Sequence, residues 1–595
     1  MSSESIDDLA KEWLRLDQNE STRNEIQSLL QVRNTDELEK RLRIRIEFGT
    51  AGLRGRMEAG FSRMNDLVII QASQGLCAYL LEMIPDASER GVVIGHDHRY
   101  HSEHWAQLTA AAFVTSNVKV HLLRGVVHTP MVPFGVKHVK AACGVMITAS
   151  HNPKQDNGYK VYWENAVQII EPHDKGIAAS ILRNLEPQTW NTGEALLKSP
   201  LLDDPTKELH VAYFASLSKL CHSRFRSLNT TVDVKFVNTS MHGVSHNVVE
   251  KAFEAFGFPP FVPVKEQQQP DPEFPTVKFP NPEEHGALDL ALSTAAEVGA
   301  TYVLAQDPDG DRFSAAEKGS DGRWTTFTGD QLGSVFASRV LELYRVSGKP
   351  IDKLAMVAST VSSKMVEAMA AAEGFKFAEC LTGFKFIGNT GLSLVHNGFE
   401  VPFGYEEAIG FMFGDDIRDK DGVAATMVFA ELVVSLRSQG KSVNSYLQDL
   451  YAKYGFFQTR NSYFICRDPP TIDRIFAQLR SRCESVSRVY PRSISGLTIT
   501  TVRDLTVGYD SSNPPKFKPL LPLSSGHMIQ FRAESPVDST KIFLTIRTSG
   551  TEPKIKYYLE GSGSDMSKVD NVLAGVVAEL GDQWLQARLN HLESP

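Results

Sequence analysis

Cysteine is scarce and scattered in this chain. Its six residues, Cys77, Cys143, Cys221, Cys380, Cys466 and Cys483, lie far apart and form no Cys-x-x-Cys, so neither a zinc site nor a disulfide framework is expected and the thiols read as reduced. Long apolar runs are missing too: none reaches the ~18 residues that a membrane span requires. Met1-Ser2-Ser3-Glu4-Ser5 leads into acidic amphipathic sequence, not an apolar signal core. The expectation is a cytoplasmic protein with no membrane partner. Nor is there a surplus of positive charge. The net charge is -9, with Lys and Arg scattered, which argues against a nucleic-acid partner. What remains is an ordinary globular composition, 22% charged and 42% hydrophobic over 595 residues, for which length predicts about three to five domains.

The chain is organised around Thr148-Ala149-Ser150-His151-Asn152-Pro153. The run Val145 to Thr148 predicts a buried strand, which stops at a hydroxyl, an imidazole and a proline. Ser150 therefore sits just past a strand end, where α/β proteins present catalytic groups. Taken alone, such a stretch is as readily a plain turn. Three other polar loops supply the parts this serine needs.

Residues 5–45 read as a helical lead-in, with Leu9, Trp13 and Leu16 on one face and Asn34 and Glu37 placed to cap the last helix. Phe48-Gly49-Thr50-Ala51-Gly52-Leu53-Arg54-Gly55 is a glycine-rich loop with one arginine. Alternating strand and helix signals follow through Val92–Ile94, Trp105–Phe113 and Val118–Leu123. Asn157-Gly158 predicts a tight turn, and Lys160–Tyr162 with Ile169-Ile170 a returning hairpin. Residues 185–205 read as a polar link to a second domain that opens with the strand Val232–Val237. A helix through Leu288, Leu292 and Ala295 ends at Gly299, and the strand Thr301–Ala305 delivers Asp307-Pro308-Asp309-Gly310-Asp311-Arg312.

Three carboxylates at alternate positions can converge on one hard cation, shaped by Pro308 and Gly310. A calcium-binding EF-hand is disfavoured, because its glycine and glutamate positions hold Arg312 and Lys318. The third unit carries Thr382-Gly383-Phe384-Lys385, a small-residue loop ending in a cation, then Gly404-Tyr405-Glu406-Glu407-Ala408-Ile409-Gly410, then Arg418-Asp419-Lys420-Asp421-Gly422 before an apolar helix. The last domain delivers Arg547-Thr548-Ser549-Gly550-Thr551-Glu552-Pro553-Lys554 between two strands. One guanidinium with three hydroxyls suits a phosphate dianion.

In this order, these loops resemble those of the α-D-phosphohexomutase superfamily, over essentially the whole chain. The stretches 48–54, 150–160 and 404–408 are most similar to the phosphoglucomutase-2 and phosphopentomutase branch. The resemblance implies an α/β fold of four domains around a central cleft: three mixed-sheet α/β domains and a smaller α+β domain. The boundaries expected are 1–215, 216–330, 331–440 and 455–595. It implies that Ser150 carries a phosphate and that Asp307, Asp309 and Asp311 hold Mg2+ together with the Ser150 phosphate. Arg547, Ser549 and Thr551 would grip the substrate's distal phosphate. Glu406 would bind sugar hydroxyls, with Lys160, Thr382, Gly383 and Lys385 lining the same mouth. Lys420 and His151 are the acid/base candidates, Lys420 through a depressed pKa, and Arg54 and Arg312 would neutralise charge.

The activity implied is a phosphosugar mutase working through a sugar bisphosphate, on glucose or pentose phosphates, primed by glucose-1,6-bisphosphate and acting as a monomer on small sugar phosphates. An alternative is a bisphosphate synthase loaded from 1,3-bisphosphoglycerate. A non-catalytic phosphosugar sensor would be expected to have lost the serine or the acids, and neither is lost. A serine hydrolase would call for a Gly-x-Ser-x-Gly elbow, which is not present.

Many hexose mutases carry serine two residues after the sugar-binding glutamate, where this chain has Ala408. A hydroxyl there is worth about 0.5 to 1.5 kcal/mol net, so its loss relaxes the demand for a complete hexopyranose. Ala408→Ser is expected to lower the ratio of ribose-1-phosphate to glucose-1-phosphate turnover; an unchanged ratio would refute this reading.

Overall fold

The computed structural model describes residues 4–49, 52–480, 490–549 and 553–594. The chain divides into two compact units, Met1–Leu332 with Gly383–Val443, and Gly333–Thr382 with Asn444–Pro595.

The first unit opens with three helices, Ile6–Leu16, Glu20–Gln31 and Thr35–Leu42. Each is started by a side chain that accepts from a free amide of its first turn: Ser5, Asn19 and Asn34. Trp13, Leu16, Ile26, Leu38 and Leu42 close over Phe61 as a small core. Asp66 ties this bundle to the rest. Its buried carboxylate accepts from Asn19 Nδ2 (2.8 Å), Trp105 Nε1 (2.7 Å) and His104 Nε2 (3.2 Å).

A mixed sheet follows in the order Leu53–Arg56, Asp156–Tyr162, Cys143–Ile147, Val92–His96, Val120–Leu122, Leu202–Asp203. The first three strands pair antiparallel and the remainder parallel. The central strands Val92–His96 and Cys143–Ile147 are buried along their whole length, as parallel strands covered on both faces must be. Helix Asp66–Met83 lies so close to helix His173–Arg183 that a Cβ on Gly75 would fall 2.5 Å from Ile181 Cα. A second mixed sheet runs Trp324–Thr326, Phe313–Lys318, Tyr302–Gln306, Phe236–Thr239, Val262–Pro263, again antiparallel and then parallel. The hairpin Glu400–Glu406 and Gly410–Phe413 completes the strands of this unit.

In the second unit, Leu354–Ser359 pairs parallel with Lys376–Cys380. The C-terminal strands from Phe456 onward form an antiparallel sheet built on Lys541–Thr548 and Lys554–Gly563. Three α/β segments of mixed strand direction thus precede an antiparallel C-terminal domain, as the sequence predicts.

Several local expectations are corrected. Asn157-Gly158 is no turn: both lie inside the strand Asp156–Tyr162, where Gly158 is required because a Cβ would sit 2.5 Å from Thr148 O. The chain instead reverses after Trp163, where Ala166 N donates to Trp163 O, and it returns as the expected hairpin, with Ile169 N donating to Val161 O at 3.1 Å and an antiparallel bridge between Tyr162 and Gln168. The polar link 185–205 contributes the edge strand Leu202–Asp203. The strand expected from Val232 begins only at Phe236, and Lys385 lies in the first turn of helix Phe384–His396, not in a loop.

His104 shares Asp66 with Trp105 and Asn19; hydrogen bonding to that carboxylate outweighs burial and raises the imidazole pKa. Stability from this pair is complete below the ordinary histidine pKa of about 6.5. It is lost as pH rises through the raised folded value. His104→Gln is expected to flatten the stability profile above pH ~6.5, and Asp66→Ala to cost about 2–4 kcal/mol at neutral pH, both read from denaturant midpoints.

Candidate functional site

Ser150 follows the strand Cys143–Ile147 in a left-handed conformation (φ 54°), a region that disfavours side chains by about 1–2 kcal/mol. The loop holds it there. Thr148 Oγ1 accepts from Ser150 N at 2.9 Å, and the side chain is carried to a buried position, 2% exposed. Its Oγ donates to Asp307 Oδ2 at 2.8 Å and lies 3.3 Å from His151 Nδ1.

Asp307 follows the buried strand Tyr302–Gln306, and Gly310, at φ 69°, supplies the turn that brings its neighbours round. Asp307, Asp309 and Asp311 are fully buried, and one oxygen of each lies within 4.8 Å of the others. Burial, with Asp309 and Asp311 alongside, pushes Asp307 well above the usual carboxylate range. Burial would raise Asp309 as well, but Lys160 and the Thr129 hydroxyl hold it well below. Lys160 Nζ reaches Asp309 Oδ2 at 2.8 Å and Asp311 Oδ2 at 3.1 Å, Lys420 Nζ reaches Asp311 Oδ2 at 2.9 Å, and Thr129 Oγ1 donates to Asp309 Oδ2 at 2.6 Å. Asp309 Oδ1 and Asp311 Oδ1 are buried without a hydrogen-bond partner. Converging carboxylates, two of them with an unsatisfied oxygen, fit a divalent hard cation.

The third loop joins this cluster through backbone and guanidinium. Arg312 N donates to Asp307 Oδ1 (3.0 Å), Arg312 Nη1 to Ala408 O (2.7 Å) and Phe313 N to Ile409 O (3.1 Å). Glu406, 6% exposed, has its pKa raised by burial against the pull of Arg312 and Lys420. Gly410 is obligatory, since a Cβ would lie 2.8 Å from the Phe384 ring and 3.0 Å from Lys420 Cδ. Lys385, half-buried on the first turn of its helix, is lowered by burial to about 8, with Asp174 and Glu406 opposing; Gly383 forms the N-terminal cap of that helix at φ 113°. Arg54 Nη1 donates to Asn152 Oδ1 at 3.3 Å.

The acid/base expectations separate. Desolvation together with Arg312 and Arg54 drives His151 well below the ordinary imidazole pKa, so it is neutral. Lys420 was expected to be depressed and is not: burial lowers it, but Asp311 and Asp419 outweigh burial and raise it above the ordinary ammonium value. Cations stand close to it as well, Arg312 and the Lys160 ammonium that shares Asp311, but the acids outweigh them.

The first unit therefore brings together Ser150, His151, Arg54, Lys160, the three aspartates, Arg312, Glu406 and Lys420, with Gly383 and Lys385 in the same unit. Thr382, Arg547 and Ser549 belong to the second unit. There Arg547 Nη2 donates to Tyr558 OH (2.9 Å), and Ser549 N to Lys554 O (2.9 Å) across the loop. Thr551 lies outside the described residues. Thr129, Asp419 and Arg99 were missed by sequence reasoning. Thr129 meets Asp309 from 180 positions away, and Asp419 fastens the segment before helix Gly422–Arg437 by accepting from Tyr162 OH and Gln168 Nε2. Neither pattern leaves a local signal.

Family models for phosphoglucomutase/phosphomannomutase α/β/α domains I, II and III match residues 45–188, 211–321 and 328–454. Human phosphopentomutase is 44% identical over 607 residues, covering 99% of this chain and 97% of its own. Human glucose 1,6-bisphosphate synthase is 43% identical over 603 residues, covering 99% and 95%. Among solved structures, the open form of the phosphoglucomutase parafusin from Paramecium superposes with a TM-score of 0.66 at 18% identity, covering 92% of this chain and 96% of its own. A chain that matches these relatives from end to end, with the aspartate cluster folded around its serine, is a phosphotransferase of the mutase type and belongs to the phosphoglucomutase/phosphomannomutase family of the α-D-phosphohexomutase superfamily.

Proposed function

We propose that the chain interconverts sugar 1-phosphates with sugar 5- or 6-phosphates, pentose phosphates foremost, through a phosphate carried on Ser150 Oγ. The observation that carries this reading is the placement of that hydroxyl 2.8 Å from Asp307 at the mouth of a buried acidic cluster with unsatisfied oxygens. Asp307, Asp309 and Asp311 would hold Mg2+, which neutralises charge on the phosphoryl oxygens when bound.

Phosphoryl transfer depends on alignment and charge more than on covalent help. In the forward half-cycle the Ser150 Oγ–P bond breaks as a hydroxyl of the sugar monophosphate forms a new O–P bond. That hydroxyl gives up its proton, and Ser150 Oγ gains one. His151, neutral and 3.3 Å from Oγ, is the acceptor already in the required state. Lys420 holds its proton against Asp311 at 2.9 Å and serves as donor and counter-charge. Glu406 would take sugar hydroxyls, Arg312, Lys160 and Lys385 phosphate charge, and Arg547 with Ser549 and Thr551 the distal phosphate. The bisphosphate then turns over and its other phosphate returns to Ser150, with glucose-1,6-bisphosphate as primer.

Similarity to the bisphosphate synthase at nearly equal identity supports a second reading, in which 1,3-bisphosphoglycerate loads Ser150 and the sugar bisphosphate leaves. Products decide between them. Incubation with ribose-1-phosphate, glucose-1-phosphate, or 1,3-bisphosphoglycerate plus a monophosphate is expected to yield isomerised monophosphate, with the intact protein heavier by one phosphoryl group. Accumulated bisphosphate would favour the synthase, and a protein never phosphorylated would refute both. Ser150→Ala is expected to abolish both the mass shift and turnover.

With a pKa of about 8, Lys385 passes from about nine-tenths charged at pH 7 to about one-tenth at pH 9. Affinity for the dianionic substrate is expected to fall by several-fold across that interval, read as a rise in KM. Lys385→Arg should remove the inflection, and an unchanged profile in that variant would exclude Lys385 from phosphate binding.

A further inference from the structure

Arg99 lies three residues past the strand Val92–His96, outside every loop that the chemistry draws on. Its side chain is 1% exposed, and its four terminal hydrogen bonds all go to one short stretch of backbone. Nη2 donates to the carbonyls of Ser150 and Asn152, both at 2.6 Å, and Nη1 to those of Pro153 (2.9 Å) and Asp156 (3.1 Å). Four carbonyl dipoles aimed inward repel one another unless a cation sits at their centre. This loop takes its cupped shape around the guanidinium.

The cation is itself held from two sides. The Phe274 ring covers it at 5.0 Å, and Asp97 Oδ2 lies 3.4 Å from Nε. Asp97 is anchored in turn, its Oδ1 accepting from Arg99 N (2.9 Å) and Ser102 Oγ (2.6 Å). Both peptide groups flanking Ser150 are thereby fixed: its N–H on Thr148 Oγ1, its C=O on Arg99. A serine locked at φ 54° between two fixed peptides has the direction of its Cα–Cβ bond set by them.

We infer that Arg99 is a positioning residue that aims Ser150 Oγ along the line of transfer, so that it governs the transfer step and not the binding of sugar phosphate. This rests on Ser150 being the phosphate carrier. Lysine cannot replace it, because a point ammonium has no planar fork to serve carbonyls on two branches.

Arg99→Lys is the direct test, with Asp97→Asn as the milder second variant, which leaves all four carbonyl bonds available but releases Nε. Both are measured by steady-state kinetics and by single-turnover loss of phosphate from the phosphorylated enzyme mixed with substrate. The expected result for Arg99→Lys is a fall of about 10- to 100-fold in kcat and in the single-turnover rate, with KM within about twofold and thermal unfolding of the variant still cooperative. Asp97→Asn should show the same pattern more weakly. A wild-type kcat in Arg99→Lys, or a loss confined to KM, would overturn the inference, as would a normal single-turnover rate in Asp97→Asn should Arg99→Lys fail to fold. Wild-type enzyme that never carries phosphate on Ser150 would refute the carrier reading itself, which is a separate outcome.

Discussion

Three carboxylates buried within 4.8 Å of one another are the constraint around which the first unit is built. Left alone they would repel, and one answer is visible at Asp307, driven toward protonation by burial and by its neighbours. The other answer is imported charge. Lys160 comes from the strand after the serine loop, Lys420 from the turn before helix Gly422–Arg437 and Thr129 from the turn before helix Met131–Val139. None of these segments is near the aspartates in sequence. Removing Lys160 would leave Asp309 without its direct counter-charge, which is more damaging than never having had the pair. The cluster therefore makes the separate sheets of this unit depend on one another.

The same cluster explains why the site falls on hairpin tips. Ser150 lies between the antiparallel neighbours Cys143–Ile147 and Asp156–Tyr162, the aspartates between Tyr302–Gln306 and Phe313–Lys318, and Glu406 closes the strand paired with Gly410–Phe413. In the first two sheets the order of strand directions is also the same. No repeat is visible in the sequence, because this topology is specified by where apolar residues fall along each strand and not by which ones they are. A tip between two paired strands is fixed at both ends, which permits a left-handed serine and a turn of three acids to keep their shape.

Continuous apolar runs such as Val92–Ile94 and Val145–Ile147 announced their strands, and the serine and the alternating aspartates announced two parts that the structure brings together. What sequence did not disclose depended on distant partners. Asn157-Gly158 has the composition of a turn, yet Thr148 O passes so close that only glycine fits within a strand there. Val232 to Lys235 alternates like a strand but has no ladder partner before Phe236. Lys420 was expected to be depressed for a base's role, whereas Asp311, reached from a distant loop, and Asp419 hold its proton more tightly than burial releases it. Arg99 carries no signature at all, since its partners are carbonyl oxygens, which every residue possesses.

The balance of charge in the first unit bears on how such a site takes up phosphate. Lys160, Lys420, Arg312 and Arg54 stand against Asp309, Asp311 and Glu406, with Asp307 and Glu406 raised by burial and His151 uncharged. A phosphate on Ser150 brings about two further negative charges at neutral pH, beside acids that already share their lysines. A divalent cation held by the aspartates would offset part of that charge, and Asp309 and Asp311 each keep a buried oxygen without a hydrogen-bond partner. The Ser150 hydroxyl lies against Asp307, whose charged form burial and the neighbouring acids disfavour. An ion bound by the three aspartates would favour the charged form of Asp307 and lie close to the Ser150 hydroxyl.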